Sequence, residues 1–428
     1  MNSPRTIVGI LVGGGPAPGI NSVISAVTIR SMLGGCEVLG ILDGFKWLME
    51  GSVSQVRPLT IEEVSRIHFR GGSYLGTSRA NPTKKAESLG HVISALTRLG
   101  IMRLVTIGGD DTAFSSLRLE EQVAGRIQIV HVPKTIDNDL DLPYGIPTFG
   151  FQTARHVAVE IVKNLMVDAH TTLRWYFVVT MGRKAGHLAL GIGKAAGATL
   201  TVIPEEFGER PVKLQRLVDL VIGSMVKRLS EGRSDGVVVL AEGLIEILDS
   251  GDLGGLDHVE RDEHGNLRLA DVDVGDVLRR EVTKGMKALG LATSIVSKNV
   301  GYELRCADPI PFDMEYTRDL GYCAAQFLLD GGTAAMVSIQ NGRFTPIPFK
   351  RMLDPASGRA KVRMVDITAQ SYQIARQYMI RLSEEDLKDP VALDRYAALV
   401  GLSPAAFRSR FQPVGSNMSG TRTNGGAS

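Results

Sequence analysis

The chain has 428 residues, 44% hydrophobic and 22% charged, with a formal net charge of +2. That length suggests two to three domains with large cores, and the near-neutral balance argues against a nucleic-acid footprint or a membrane-surface patch. Cys36, Cys306 and Cys323 lie far apart with no CxxC pair, which fits a reducing compartment and disfavours structural zinc.

From the N-terminus, "MNSPRT" leads straight into an apolar run at Thr6–Val12, too brief for a signal-peptide core. No segment reaches the roughly 18 uninterrupted apolar residues of a membrane span, so the expectation is a cytoplasmic globular protein. Gly13–Gly19 breaks the first strand, and Asn21 is placed to cap a helix that stops at Gly34-Gly35. Cys36–Leu42 and Arg103–Ile107 read as strands, the latter ending in "GGDD". A helix over Thr112–Ala124, a strand over Arg126–Val132 and a one-sided helix over Gln152–Asp168 follow. Trp175–Thr180, Thr201–Ile203 and Gly236–Leu240 are further strands, separated by helices over Gly186–Ala196 and Lys213–Leu229.

Unbroken apolar strands alternating with helices imply parallel sheets covered on both faces, and the rhythm runs too long for one sheet. The expectation is two doubly wound, Rossmann-like α/β domains, residues 1–147 with about 304–345 and residues 148–303. The charged stretch 252–272 reads as a surface hairpin insertion, 346–412 as a helical extension and 413–428 as a disordered tail.

In open parallel sheets ligands sit at the strands' C-terminal ends, where several unusual stretches fall together. "GGGPAPGIN" offers free amides and a helix start, an anion site or simply a tight turn. Ile20-Asn21 stand where a Walker loop needs Lys-Ser/Thr, which excludes an ordinary P-loop. "GGDDT" adds two acids that would repel a phosphate unless a cation intervenes, so one is a candidate Mg²⁺ ligand; N-capping by Asp111 leaves Asp110 unexplained. In "PKTIDND", Asp137 can act as general base, Asp139 can orient it or the metal, Thr135 can bond substrate and Lys134 can neutralise phosphate oxygens. Asp137, Asp139 and Asp141 alternate as in a calcium loop, but Leu142 occupies the glycine position. Arg183 of "MGRKAGH", Arg305 of "YELR" and Arg174 suit phosphate contact, though any one alone is more often a solvated charge.

Taken in order, "GGGPAPGIN", "GGSYLGTSR", "GGDDT", "PKTIDND", "MGRKAGHLAL", "AEG" and "GYELR" resemble the signatures of the phosphofructokinase family, from residue 6 to about 345. The resemblance implies two similar α/β domains with a cleft between them and Mg²⁺-dependent phosphoryl transfer to the 1-hydroxyl of fructose 6-phosphate. It makes Asp137 the proton acceptor, with Asp139, Asp111, Lys134 and Arg183 completing the catalytic set, and Asp110 the Mg²⁺-linked aspartate. Gly14 and Gly15 meet the phosphoryl donor, and Arg79 bridges both substrates' phosphates. Thr135, Met181, Gly182, Arg183, Glu242, Tyr302 and Arg305 become sugar-phosphate contacts. Arg174 matches an arginine that reaches a neighbouring subunit's site, implying a homodimer or homotetramer.

ATP-using members carry glycine where this sequence has Asp111 and Lys134; the pyrophosphate-using branch carries Asp and Lys there. A side chain at 111 would take up space near a nucleotide's α-phosphate and ribose and repel that phosphate. Pyrophosphate is therefore the expected donor, with ATP-dependent phosphofructokinase or a catalytically silent regulatory subunit as alternatives. Pro16 replaces an acid, Tyr302 replaces a histidine, and Lys298 stands where the family often has an arginine for the sugar's 6-phosphate.

Overall fold

A computed structural model describes residues 6–254, 272–354 and 361–415. Its strands, in chain order, are β1 (Ile7–Val12), β2 (Glu37–Ile41), β3 (Val56–Pro58), β4 (Ile101–Gly108), β5 (Gln128–Thr135), β6 (Phe149–Gly150) and β7 (Trp175–Thr180). They continue with β8 (Leu200–Val202), β9 (Gly236–Ala241), β10 (Ile295–Val300), β11 (Ala335–Met336), β12 (Ile339–Gln340), β13 (Arg343–Phe344) and β14 (Ile347–Pro348). The chain divides into two compact units, Met1–Val157 with Gly301–Arg363 and Ala158–Val300 with Met364–Ser428.

In the first unit eight described strands form one sheet in the order β14-β11-β5-β4-β1-β2-β3, with β6 beside β5, and β12 and β13 pair separately as an antiparallel hairpin. Its interior is parallel, and antiparallel β3 and β14 close its edges. Side chains alternate along β1, as a strand covered on both faces requires. Val8, Ile10 and Val12 pack with Ile20, Val23 and Leu320 on one face. Leu11 packs with Leu96, Leu104 and Leu117 on the other. The first cluster is contributed by helices α1 (Ile20–Leu33) and Pro311–Leu329, the second largely by Ala86–Arg98 and α2 (Asp110–Val123). Register then decides what the strands present: Val12 lies opposite Ile107, and Gly108 opposite Pro133. The three glycine- and acid-rich loops are thereby delivered to the same end of neighbouring strands.

The second unit is a parallel sheet in the order β10-β7-β9-β8. Its core joins Phe177 and Val238 to Leu217, Val277, Leu382 and Phe411. The helix-rich C-terminal segment is thus part of this unit's core. It is tied there by Arg381, 8% exposed, whose guanidinium donates to both carboxylate oxygens of Glu206 at 2.7 and 2.9 Å. Two doubly wound α/β units and a helical C-terminal region are the fold class that strand–helix alternation implied.

Asn21 does not cap α1; Gly19 is the cap residue. The Asn21 side chain is buried, donates to the carbonyls of Arg70 and Gly71 at 3.1 Å each and accepts from Tyr74 N–H at 2.7 Å, fastening the "GGSYLGTS" loop. Of the charged stretch 252–272, residues 255–271 lie outside the described residues. Of the tail, residues 416–428 do so, and the helix Pro404–Gly415 runs through its first three positions.

Candidate active site

A pocket of about 230 Å³ opens in the first unit where the three loops meet. Lys134, the penultimate residue of β5, is 4% exposed and donates from Nζ to Gly15 O at 2.5 Å. Burial pushes its ammonium down to about 8; Asp137 draws it back up, Arg305 pushes it further down, and Asp139 and Asp110 raise it. The lysine is held charged by the acids it faces, and its stem makes no use of solvent.

Two positions of the first loop call for glycine, for different reasons. Gly14, at φ 82°, adopts the left-handed backbone that glycine tolerates. A Cβ at Gly15 would stand 2.3 Å from Arg305 Nη2, so only glycine lets that guanidinium approach the loop. Arg305 also lies over the Tyr302 ring, 5.3 Å from its centroid, and Tyr302 itself is 77% exposed. Exposed Arg79 lines the same pocket.

Gly109 caps α2, which leaves Asp110 and Asp111 as its first two residues rather than as caps. There they face the positive end of the helix, which stabilises paired anions. Asp111 N–H donates to Asp110 Oδ1 at 2.9 Å, and both residues line the pocket. Beneath this loop His131 is completely buried: Nε2 lies 3.0 Å from Gly108 O and Nδ1 2.9 Å from Thr106 Oγ1. Burial holds its imidazole down at about 3, so the ring is neutral, donating from Nε2 to Gly108 O and accepting from Thr106 at Nδ1. A lone histidine in an apolar strand carried no sign of this in the sequence.

Thr135, Asp137 and Asp139 complete the pocket. Thr135 Oγ1 accepts from Asp137 N–H at 3.0 Å, which turns the chain sharply after β5. Asn138, between the acids, has φ 58°, and its Oδ1 accepts from Thr148 N–H at 3.0 Å. Arg363, a position the sequence did not single out, braces the same loop.

In the second unit the ends of β7 and β9 run side by side, Thr180 opposite Ala241. This pairs Met181, Gly182 and Arg183 with Glu242: Arg183 Nε reaches Glu242 Oε1 at 3.3 Å, and Glu242 N–H donates to Thr180 O at 2.9 Å. Glu205 accepts from Gly186 N–H at 2.8 Å and Val365 N–H at 3.0 Å, fixing the end of the "MGRKAG" loop. Arg174 lies at the opposite end of β7, one residue before the strand, and does not join this group. Of the predicted positions, the first unit therefore collects Gly14, Gly15, Arg79, Asp110, Asp111, Lys134, Thr135, Asp137, Asp139 and Arg305, and the second collects Met181, Gly182, Arg183 and Glu242.

Residues 7–328 match the phosphofructokinase family model. The chain is 53% identical over 409 residues to the pyrophosphate–fructose 6-phosphate 1-phosphotransferase of Thermotoga maritima, spanning 94% of this chain and 97% of that protein. It is 48% identical over 421 residues to the protein of the same name from Naegleria fowleri, spanning 96% of each. The crystal structure of Pichia pastoris phosphofructokinase superposes with a TM-score of 0.65 at 21% identity, over 96% of this chain and 39% of that one. This chain thus spans about two-fifths of the Pichia pastoris chain, a likeness of fold. The pocket's loops and the two α/β units define a phosphoryl-transfer protein, and the chain belongs to the phosphofructokinase family.

Proposed function

We propose that this chain transfers a phosphoryl group from pyrophosphate to the 1-hydroxyl of fructose 6-phosphate, reversibly, giving fructose 1,6-bisphosphate and phosphate. The observation that carries the reading is Lys134: a buried ammonium on Gly15 O, in a pocket that also holds Asp110 and Asp111. A nucleotide site built on a glycine loop needs open backbone there, whereas a compact, highly charged donor gains from a fixed cation. The Thermotoga maritima and Naegleria fowleri relatives carry pyrophosphate and fructose 6-phosphate in their names.

In this reading Asp137 accepts the proton of the 1-hydroxyl as its oxygen bonds to the near phosphorus. The bridging P–O bond breaks and phosphate departs with that electron pair. Lys134 and the Gly15 amide would meet the departing phosphate, whereas the Gly14 N–H expected there donates to Ser78 O at 2.8 Å and shapes the loop instead. Arg79 spans both substrates' phosphates, and Asp139 and Asp111 orient the reacting groups. Thr135, Met181, Gly182, Arg183, Glu242, Tyr302 and Arg305 are the proposed sugar-phosphate contacts. Among the described residues no group of three or more His, Cys, Asp and Glu forms a metal cage. Such a donor set suits Mg²⁺, which takes one or two carboxylates and fills its shell with water and substrate phosphates. Asp110 would hold it, and the ion would supply charge neutralisation on the transferred group. Arg174, apart from the other cations, suits a role across a subunit boundary in a homodimer or homotetramer. No described helix is long and apolar enough to cross a membrane; a cytoplasmic enzyme is the matching proposal.

Initial rates with fructose 6-phosphate, Mg²⁺ and either pyrophosphate or ATP test the reading. Turnover with pyrophosphate and little with ATP is expected; robust ATP turnover without pyrophosphate activity would reject it.

A further inference from the structure

We infer that Arg363 is a positioning residue for phosphoryl transfer: it fixes the backbone that carries Asp137 and Asp139 without itself lining the pocket. The inference rests on the proposed role of those two acids. Arg363 lies beyond residues 7–328, the part of the chain that matches the family model. It therefore belongs to a segment to which the shared motifs give no role.

The loop after β5 runs from Ile136 to Thr148 without regular structure apart from an isolated bridge, and such a loop leaves carbonyls that need partners. One guanidinium supplies them. Arg363 Nε and Nη2 donate to Asn138 O at 3.1 and 3.0 Å, and Nη1 donates to Leu142 O at 3.3 Å and Ile146 O at 2.7 Å. Nη2 also donates to Asn138 Oδ1. Arg363 N–H donates to Asp139 O at 2.9 Å, and Val362 bridges Leu140. Residues 362 and 363 thus clamp the loop at several points, and three of these five guanidinium hydrogen bonds converge on Asn138, the left-handed residue between the two acids. Asp139 and Asp141 add electrostatic attraction to the guanidinium.

The chemistry selects arginine. Five donors in a rigid planar fork reach three separate carbonyls at once; a lysine at the end of the same stem is a point charge that satisfies one or two. Releasing Asn138 would free the backbone on both sides, and a misplacement of about 1 Å at a reacting group costs on the order of 100-fold in rate.

The test uses the full chain with Arg363→Lys and Arg363→Met. The expected result is a kcat for pyrophosphate-dependent phosphorylation reduced about 100-fold in both. KM for pyrophosphate should be unchanged, because Lys134 is held by Gly15 O and Gly14 N–H by Ser78 O, contacts that both variants keep. Hydrogen exchange over residues 136–146 should quicken in Arg363→Lys, while β4 and β1 keep wild-type protection. Wild-type kcat in either variant, or unchanged exchange over 136–146 in Arg363→Lys, would overturn the inference. Should Arg363→Met fail to fold, Arg363→Lys, which keeps stem and charge, decides by the same two readouts. Absence of pyrophosphate turnover in the wild type would instead count against the proposed reaction, and the exchange comparison would still report whether Arg363 holds the loop.

Discussion

Replacing Lys134 by Met removes one ammonium and keeps most of the stem's volume, so the pocket wall stays filled while the cation disappears. In the wild type that ammonium is held near 8 by burial, against an ordinary value of 10.5. The sign follows directly: the lysine is charged below about 8 and neutral above it. In the free enzyme about nine-tenths of it is protonated at pH 7 and about one-tenth at pH 9. Since kcat/KM reports ionisations of the free enzyme, kcat/KM for pyrophosphate should decline about tenfold per unit above pH 8. A charge-assisted hydrogen bond contributes about 1.5–3 kcal/mol, so Lys134→Met should lower kcat/KM at pH 7 by about 10- to 150-fold. The variant should also lose the alkaline decline, because the titrating group is gone. Initial rates from pH 6.5 to 9.5 on both proteins measure this, and ionisation of pyrophosphate itself affects the two alike. A Lys134→Met enzyme that keeps the wild-type alkaline limb would refute the assignment of that limb to Lys134.

Asp137→Asn should depress kcat by about 10²- to 10⁴-fold with KM for pyrophosphate little changed, since an amide accepts no proton at this pH; a near-normal kcat would remove Asp137 as the base. Asp111→Gly combined with Lys134→Gly should raise the ratio of ATP-dependent to pyrophosphate-dependent rate, and an unchanged ratio would count against the steric and electrostatic account of donor choice. His131→Phe takes away the donor to Gly108 O and should cost roughly 1–3 kcal/mol in urea unfolding. His131→Gln, whose amide can still donate, should cost less. Burial holds folded His131 at about 3 against 6.5 for the free side chain. Between those values the unfolded chain binds the extra proton, so stability falls as pH drops through this window, and His131→Gln should lack that part of the slope.

The residues that meet in the pocket were legible in the sequence and their support was not. Parallel strands buried on both faces leave unbroken apolar runs, and each reactive loop begins where such a run stops. Gly14, Asp110, Asp111, Lys134 and Asp137 could therefore be found by local pattern. β10 escaped because its Ser297, Lys298 and Asn299 break the apolar run, as an edge strand of its sheet permits. Val274–Ala288 did carry a helical signal, with Val274, Val277, Leu278, Val282 and Met286 all buried on one face, interleaved with the charged Asp276, Arg279, Arg280 and Glu281. His131 and Arg363 gave no local sign at all. Arg363 meets Asn138 across 225 positions, and no period or motif encodes such a pairing.

That division between legible and hidden residues bears on how the pocket favours its donor. Burying Lys134 penalises its charge, as its lowered titration point records, and the acids around it offset only part of the penalty. An incoming pyrophosphate with dense negative charge would relieve what remains, because it places anionic oxygens beside an ammonium already largely shielded from solvent. A triphosphate spreads similar charge over a longer chain and must carry its α-phosphate past Asp111, which is exposed at the helix start. On this account the discrimination would come from cost already present in the free pocket, which a compact anion beside the lysine offsets more fully than an extended one. It follows that binding pyrophosphate raises the lysine's proton affinity, so at pH 8 to 9 complex formation should take up protons from the buffer. In calorimetry the apparent enthalpy would then vary with the buffer's ionisation enthalpy in the wild type, and that part of the variation would be missing in Lys134→Met.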